Sequence, residues 1–373
     1  MTKVIAQWKP IGDVRVKNGT YVAANLRTKE RIELFVTDTE GYVKSTWWEI
    51  SDVWAPWFQL SNSLSPSLLV TFPPQAPISA TSRIDVHIDV FGVATSGRVV
   101  STFWRDKIGW AKTWFEIKEN APFISPPTPI SAIARAHDHL DLFCIDDTGV
   151  MYSVPWYEGQ GWGAWFSIPG KKFAPKSYVN AVVRNPDLIQ LFAVDTTGTI
   201  QSASWLRASG WSVWSAIGNS NMFSPNAPVS FIQRPGSGGP DIFAVGTNGA
   251  VWSAHNEKGS WWPLFQLSSG PKFPTNGYVA AIAPRSEDIF VLAIDTTGTM
   301  QRIDWHINTG WGQWYPFSQP SVFTPGAPIS SVVRSHYIFE SKYGKDHRTI
   351  EVFTTDTQGR VVNTRIGPLS VNY

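Results

Sequence analysis

A single cysteine, Cys144, stands in 373 residues, so the chain can form neither an internal disulfide nor a thiolate metal cluster. Charge is also scarce: 16% of residues are Asp, Glu, Lys or Arg, against roughly 25% in an ordinary globular protein. The 31 basic and 29 acidic side chains nearly cancel, for a net charge of +2. That balance gives no electrostatic footprint for a nucleic acid or an acidic membrane surface. Long apolar runs are missing too. No stretch approaches the about 18 residues of a spanning helix, and the first ten residues lack the apolar core of a signal peptide. The expectation is a protein without nucleic-acid or membrane partners and with an intracellular leaning. The sequon Asn18-Gly19-Thr20 would matter only behind a trimmed leader.

Catalytic signatures are equally sparse. The sequence has no phosphate-binding loop, no dinucleotide fingerprint, no HExxH and no G-x-S-x-G elbow. Asp146-Asp147-Thr148-Gly149 lacks the spacing and terminal Glu of a calcium loop. No metal and no cofactor are expected. Cys144, in the apolar run Leu142-Phe143-Cys144-Ile145, reads as a buried inert thiol.

What is abundant is Trp (20), Gly (29) and Pro (27), the composition of short strands joined by turns. A motif, apolar-Phe-x-x-Asp-x-x-Gly-x-apolar, recurs most clearly at Leu34–Val43, Leu142–Val150 and Leu191–Ile200. Its turn glycines are Gly41, Gly97, Gly149, Gly198, Gly249, Gly298 and Gly359, with a mean spacing of 53 residues. Seven such periods account for the whole chain as one domain, residues 1–373. Each copy reads as four strands, typified by Pro129–Arg135, Leu140–Ile145, Val150–Trp156 and Trp162–Ile168. Four strands per unit predict an all-β, seven-bladed β-propeller. The seventh copy stops after three strands. The missing fourth lies at the start, where Trp8-Lys9-Pro10-Ile11 matches Trp57-Phe58-Gln59-Leu60, so the N-terminal strand is expected to complete the last blade and close the ring.

Five copies carry three Trp each at matched positions: Trp48/54/57, Trp104/110/114, Trp156/162/165, Trp205/211/214 and Trp305/311/314. Most should wedge between sheets, while the first of each set (Trp48, Trp104, Trp156, Trp205, Trp305) is a candidate platform for a planar ligand or sugar. Seven arginines also recur at the end of the first strand: Arg27, Arg83, Arg135, Arg184, Arg234, Arg285 and Arg334. They either satisfy carbonyls of the inner loops or form an anion or carbonyl clamp at one channel mouth. The Asp of the same blade's turn lies at the other strand end, so no pairing with it is expected.

The Leu-Phe-x-x-Asp-x-x-Gly hairpin followed by Gly-Trp-x-x-Trp-x-x-Ile resembles the fucose-specific lectin-like propellers, over all seven blades. That group includes lectins of insect-pathogenic bacteria, fungal fucose lectins and lectin-like fungal cyclases of secondary metabolism. The resemblance implies sugar pockets between blades, read by a polar residue just after the third-strand turn. The equivalent positions here are Ser45, Ser101, Ser153, Ser202, Ser253, Arg302 and Asn363, and none keeps the His or Glu of the lectins. The charge-assisted grip on a sugar is therefore missing from that pattern.

Departures from symmetry mark where a specialised site would lie. Blade seven carries the longest excursion, residues 336–348, read as a loop. Blade two has His87 among acids, blade three has His137 in its inner loop, and blade five has lost its third-strand Trp (Asn256). His336, Tyr337, His87 and His137 are the candidate proton-transfer groups. First-strand centres vary from Asn25 and Thr81 to Ile133, Val182, Ile232, Ile282 and Val332, suggesting one asymmetric, mostly apolar pocket. The leading expectation is a small-molecule site for an apolar or aromatic ligand. The resemblance to the fungal cyclases extends it to cofactor-free hetero-Diels–Alder chemistry forming terpenoid adducts. The other expectation is a glycan-binding lectin, for fucose or methylated glycans.

Overall fold

The computed structural model describes residues 5–49, 53–65, 68–236, 239–338 and 345–370, with the backbone alone at 65, 68, 335–338, 345–347 and 368–370. The described residues form strands and turns and no helix. Among the described residues, seven sheets of four or five strands follow one another along the chain, six of them built from consecutive strands, and a small two-stranded ladder joins Ser63–Ser65 to Leu68–Leu69. The architecture is a seven-bladed β-propeller of four-stranded blades. In blade three the strands are Ser131–Ala136, His139–Ile145 and Met151–Tyr157, within a residue or two of the expected bounds.

The fourth strand differs from expectation. Instead of running unbroken over Trp162–Ile168 it divides into Gly161–Trp162 and Phe166–Ile168, which pair with opposite ends of Met151–Tyr157. Between them the chain leaves the ladder and carries Trp165 onto the preceding blade. The same break recurs in blades two, four, five and six.

The exception to sequence order is blade seven. The N-terminal strand Lys9–Arg15 pairs antiparallel with the last strand, Arg360–Ser370, placing Lys9 opposite Asn363 and Pro10 opposite Val362. It completes the last blade, as expected. The excursion at 336–348 is in part strand rather than loop: Ser330–Ile338 and Lys345–Thr355 stay in register out to Ile338 opposite Lys345. An alternating pattern of branched and aromatic residues favours extension of that hairpin over a free loop.

The polypeptide packs as two compact units. One comprises Met1–Leu34, Thr46–Trp57 and Ser230–Tyr373, the other Phe35–Ser45 and Phe58–Val229. Within the second, Phe91, Val93 and Val99 of blade two pack with Leu140, Leu142 and Cys144 of blade three. Phe143, Ile145 and Met151 then pack with Leu191, Ala193 and Trp214 of blade four. The first unit repeats this between blades five and six, and between six and seven. Each fully buried Phe in these layers contributes roughly 1.5–3 kcal/mol by leaving water.

The second and third Trp of a blade reach the blade before it in several copies. The third donates its indole N–H to a carbonyl of the preceding outer strand region: Trp57 to Ile11 (2.7 Å), Trp165 to Ile117 (3.1 Å) and Trp214 to Pro169 (3.0 Å). The middle one sets its ring edge-on to the preceding second-strand Phe, as in Trp162 on Phe91, Trp211 on Phe143 and Trp54 on Phe353. An aromatic body with one polar handle suits this place, where an apolar wall meets unpaired carbonyls.

The turns are fixed by Asp and Gly together. Asp146 accepts hydrogen bonds from the Thr148 and Val150 amides at 2.9 and 2.8 Å. Gly149 has φ +79°, and a Cβ there would stand 2.2 Å from the Phe173 carbonyl oxygen. Conformation and close approach both require glycine. Asp195 makes the same turn. Burial opposes its charge, but hydrogen bonds from Thr197, Thr199 and Gln201 outweigh it and hold the carboxyl below its ordinary range.

Candidate functional site

The recurring arginines find their partners inside the protein. Arg27 pairs with Glu33, Arg83 with Asp89, Arg135 with Asp141, Arg234 with Asp241, Arg285 with Asp288 and Arg334 with Glu351. Arg184 donates instead to the neutral Gln190 at 3.0 Å. Four guanidiniums also lie over the first Trp of the next blade: Arg83 on Trp156 (4.0 Å), Arg135 on Trp205 (4.1 Å), Arg234 on Trp305 (4.8 Å) and Arg334 on Trp48 (3.9 Å). Two residue sets singled out separately as ligand-binding candidates are thus brought together, and each occupies the other. The partner acids sit on the second strand, not in the turns. Trp104, the remaining platform candidate, pairs in register with Trp110.

The proton-transfer candidates are dispersed. His87 is buried, 3.1 Å from Asp89 and within 3.2 Å of the Arg83 guanidinium, and stacks on Phe103. His137 lies in an exposed inner turn, where its carbonyl accepts from Arg83 at 3.0 Å. His336 and Tyr337 lie on the strand Ser330–Ile338, and their side chains fall outside the described residues. Cys144 is buried, and burial together with Asp146 pushes its thiol up, leaving it protonated. Among the described residues no cluster of three or more His, Cys, Asp or Glu is grouped to hold a metal ion.

The third-strand positions of the Ser45 series separate the blades sharply. Each faces a residue on the outer strand. The pairs are Ser45 with Phe58, Ser101 with Phe115, Ser153 with Phe166, Ser202 with Ser215 and Ser253 with Phe265. All five of these serines are buried, at 1–8% exposure, so none presents its hydroxyl to a ligand. In blade six the pair becomes Arg302 with Tyr315, and in blade seven Asn363 with Lys9.

Those two exceptional pairs line one cavity of about 1550 Å³, within a single unit. Asp304, Phe317 and Arg365 add to its wall, and Trp48, Val53 and Trp54 bound it from blade one. The charged part is tightly organised. Arg302 donates to both carboxylate oxygens of Asp304, Nε to Oδ1 at 2.6 Å and Nη2 to Oδ2 at 3.1 Å. Tyr315 donates its hydroxyl to Asp304 Oδ2 at 3.2 Å. Phe290 lies under the guanidinium at 4.2 Å, in the place that Asp141 holds in blade three. Blade six keeps the pair of Arg285 with second-strand Asp288 and adds a second arginine–carboxylate pair, Arg302 with Asp304, on its third strand beside the cavity. Burial pushes the Tyr315 phenol up, the Asp304 charge adds to this, and Arg302 opposes it, so the group remains a donor.

Asp304, Tyr315, Lys9 and Arg365 escaped the sequence reading of the site. The signal was present in one form: Arg302 and Asn363 break a series of five serines. Symmetry of the arginines and tryptophans drew attention instead to residues that hold blades together.

No family model and no curated protein matches the chain. Solved structures do share its fold. The BP39L lectin from Burkholderia pseudomallei superposes with a TM-score of 0.79 over 95% of this chain and 100% of that one, at 19% identity. The SapL1 lectin, solved with α-methyl fucoside, gives 0.55 over 82% and 97%, at 17% identity. The Aleuria aurantia lectin in complex with Fucα1-6GlcNAc gives 0.51 over 83% and 99%, at 16% identity. The fold is that of the fucose-specific lectin propellers, as the hairpin and Trp motifs lead one to expect.

Proposed function

We propose that the protein binds a small, largely apolar organic molecule in the cavity at blades six and seven and acts on it as a cofactor-free cyclase of the hetero-Diels–Alder type. The observation that carries this reading is the loss of symmetry. Five reader positions are buried serines, and the two that bear charged or amide groups are neighbours lining one cavity. A multivalent lectin would repeat its reader, because avidity comes from several similar sites. A cycloaddition converts π bonds into σ bonds without gain or loss of atoms. It needs a shaped apolar wall and a few oriented donors rather than a nucleophile. Trp54, Val53 and Phe317 supply such a wall. Arg302 and Tyr315 supply donors for a carbonyl oxygen whose negative charge grows in the transition state. Asp304 is placed to take a proton if a dehydration precedes ring formation.

The test is product analysis of the purified protein with a polyene and a quinone-methide precursor. Adduct formation above the spontaneous rate, lost in Asp304→Ala and Arg302→Met variants that melt like the parent, is the expected result. A folded protein that leaves the spontaneous rate unchanged would sink the catalytic reading.

The second reading is glycan binding at the same cavity. It is favoured by the fold likeness to lectins and by a charged Arg–Asp pair beside Trp48 and Trp54, a composition suited to a sugar's hydroxyls and apolar face. Array binding competed by free L-fucose would support it.

A further inference from the structure

Blade five breaks the repeat at two positions that face each other. The residue after the second Trp is small in five blades (Ala55, Ala111, Gly163, Ser212 and Gly312), and its amide donates to the third-strand carbonyl opposite. Blade five keeps that bond, from Trp262 to the His255 carbonyl at 2.8 Å, but puts an indole where the others have at most a methyl or hydroxymethyl group. The indole and the imidazole meet edge to face, with ring centroids 6.0 Å apart. Trp262 is 55% exposed, so its ring adds little to the core. Phe265, also exposed, shares this face, because it stands opposite Ser253, two residues from His255 on the strand Val251–Glu257. None of these residues lines the cavity at blades six and seven.

The imidazole is held from behind. His255 Nδ1 lies 3.0 Å from Asp241 Oδ1, on the neighbouring strand Pro240–Val245, and Arg234 Nε stands 3.3 Å from the other carboxylate oxygen. A Cβ on Gly239 would come within 3.3 Å of His255 Cε1, so the backbone closes off another edge of the ring. Burial raises the Asp241 carboxyl from its ordinary value, against the pull of Arg234 and His255, which makes it a strong acceptor. A carboxylate only accepts, so the neutral imidazole carries its proton on Nδ1 and leaves Nε2 as a bare acceptor. Nε2 makes no hydrogen bond among the described residues, and 22% of the side chain is exposed. His87 and His139 differ. Each turns Nε2 inward, to Asp89 at 3.1 Å and to Arg135 Nη2 at 2.7 Å.

We propose that blade five carries a second small-molecule site, for an aromatic alcohol of the phenol class, whose hydroxyl donates to His255 Nε2 while its ring packs on Trp262 and Phe265. A hydroxyl complements a bare imidazole nitrogen, and a flat apolar ring complements an exposed indole. The site stands apart from the cavity of the proposed reaction and does not depend on that reading.

The experiment is calorimetric titration of the full chain with a matched pair, 4-hydroxyacetanilide and 4-methoxyacetanilide. The phenol is expected to bind about tenfold more tightly than its methyl ether, the size of one hydrogen bond. His255→Phe keeps a ring in place and should make the two probes equal. Trp262→Ala supplies the side chain that Ala55 and Ala111 have at the same place, so the variant should melt like the parent while both probes weaken about fivefold. Nitrogen-15 spectra of histidine-labelled protein give an independent reading, since the phenol should shift the Nε2 resonance that His255→Phe deletes. Equal affinity of the two probes, a preference that survives in His255→Phe, or no binding of either probe to folded protein overturns the proposal. So does binding of α-methyl fucoside that Trp262→Ala abolishes while the phenol fails to bind, which would assign this face to a sugar.

Discussion

Arg302 and Asp304 lie two residues apart on one face of a third strand and join through two hydrogen bonds, at 2.6 and 3.1 Å. The same strand position carries a buried serine in five other blades. The Arg302–Asp304 pair is additional to that of Arg285 with second-strand Asp288, and its place on the third strand puts it at the edge of a cavity. Tyr315 then completes a three-member set whose hydrogen bonds fix all of its orientations.

Asp304→Asn should leave stability nearly unchanged, because the pair is partly open to solvent and such pairs contribute ~0–1 kcal/mol. Ligand affinity or turnover should fall about tenfold as Arg302 loses its fixed direction. Chemical denaturation and ligand titration of one preparation check both parts. A large stability loss with unaltered affinity would assign the pair to the scaffold alone.

The opposite split is expected at Arg135. Its guanidinium is buried between Asp141 and Trp205, and Arg135→Met leaves that carboxylate buried without its main partner. A loss of about 3–5 kcal/mol should appear in urea unfolding, with ligand affinity at the cavity unchanged. An affinity loss at preserved stability would restore the recurring arginines as a ligand clamp.

Trp165→Phe keeps an aromatic ring but removes the donor to the Ile117 carbonyl. The orphaned acceptor should cost about 1–3 kcal/mol in urea unfolding. Were the variant as stable as the parent, the indole hydrogen bonds would not be what ties consecutive blades.

Deletion of residues 1–12 strips blade seven of most of its outer strand and removes the Ile11 carbonyl that Trp57 binds. The exposed edge of the strand Arg360–Ser370 should lower the melting temperature and promote association. A truncated chain that melts and sediments like the full one would contradict completion of the blade by the N-terminal strand.

Asp195 gives a pH signature. Its carboxyl is held below its ordinary value when folded, so its ionised form contributes stability above the unfolded value, and that contribution disappears as pH falls through the folded value. Asp195→Asn should therefore be destabilised at neutral pH, with the gap to the parent closing in acid. A gap that stays constant from neutral to acid pH would mean that hydrogen bonding without charge accounts for the turn.

Sequence and structure divide this protein at a definable line. The repeat of Asp, Gly and Trp determined the seven blades, the strand order and the role of the N-terminal strand, because turn chemistry and alternation act over a few residues and are written in them. Arg83 and Trp156, or Lys9 and Asn363, meet only when strands far apart in the chain are placed side by side. No local rule assigns an arginine to a tryptophan in the next blade rather than to a ligand. The same limit hid Asp304 and Tyr315, whose meaning depends on Phe290 lying under the Arg302 guanidinium from one strand away. Periodicity marked what every blade shares. The cavity is made from what two blades do not share, and only the tertiary structure decided that those two exceptions would face the same space.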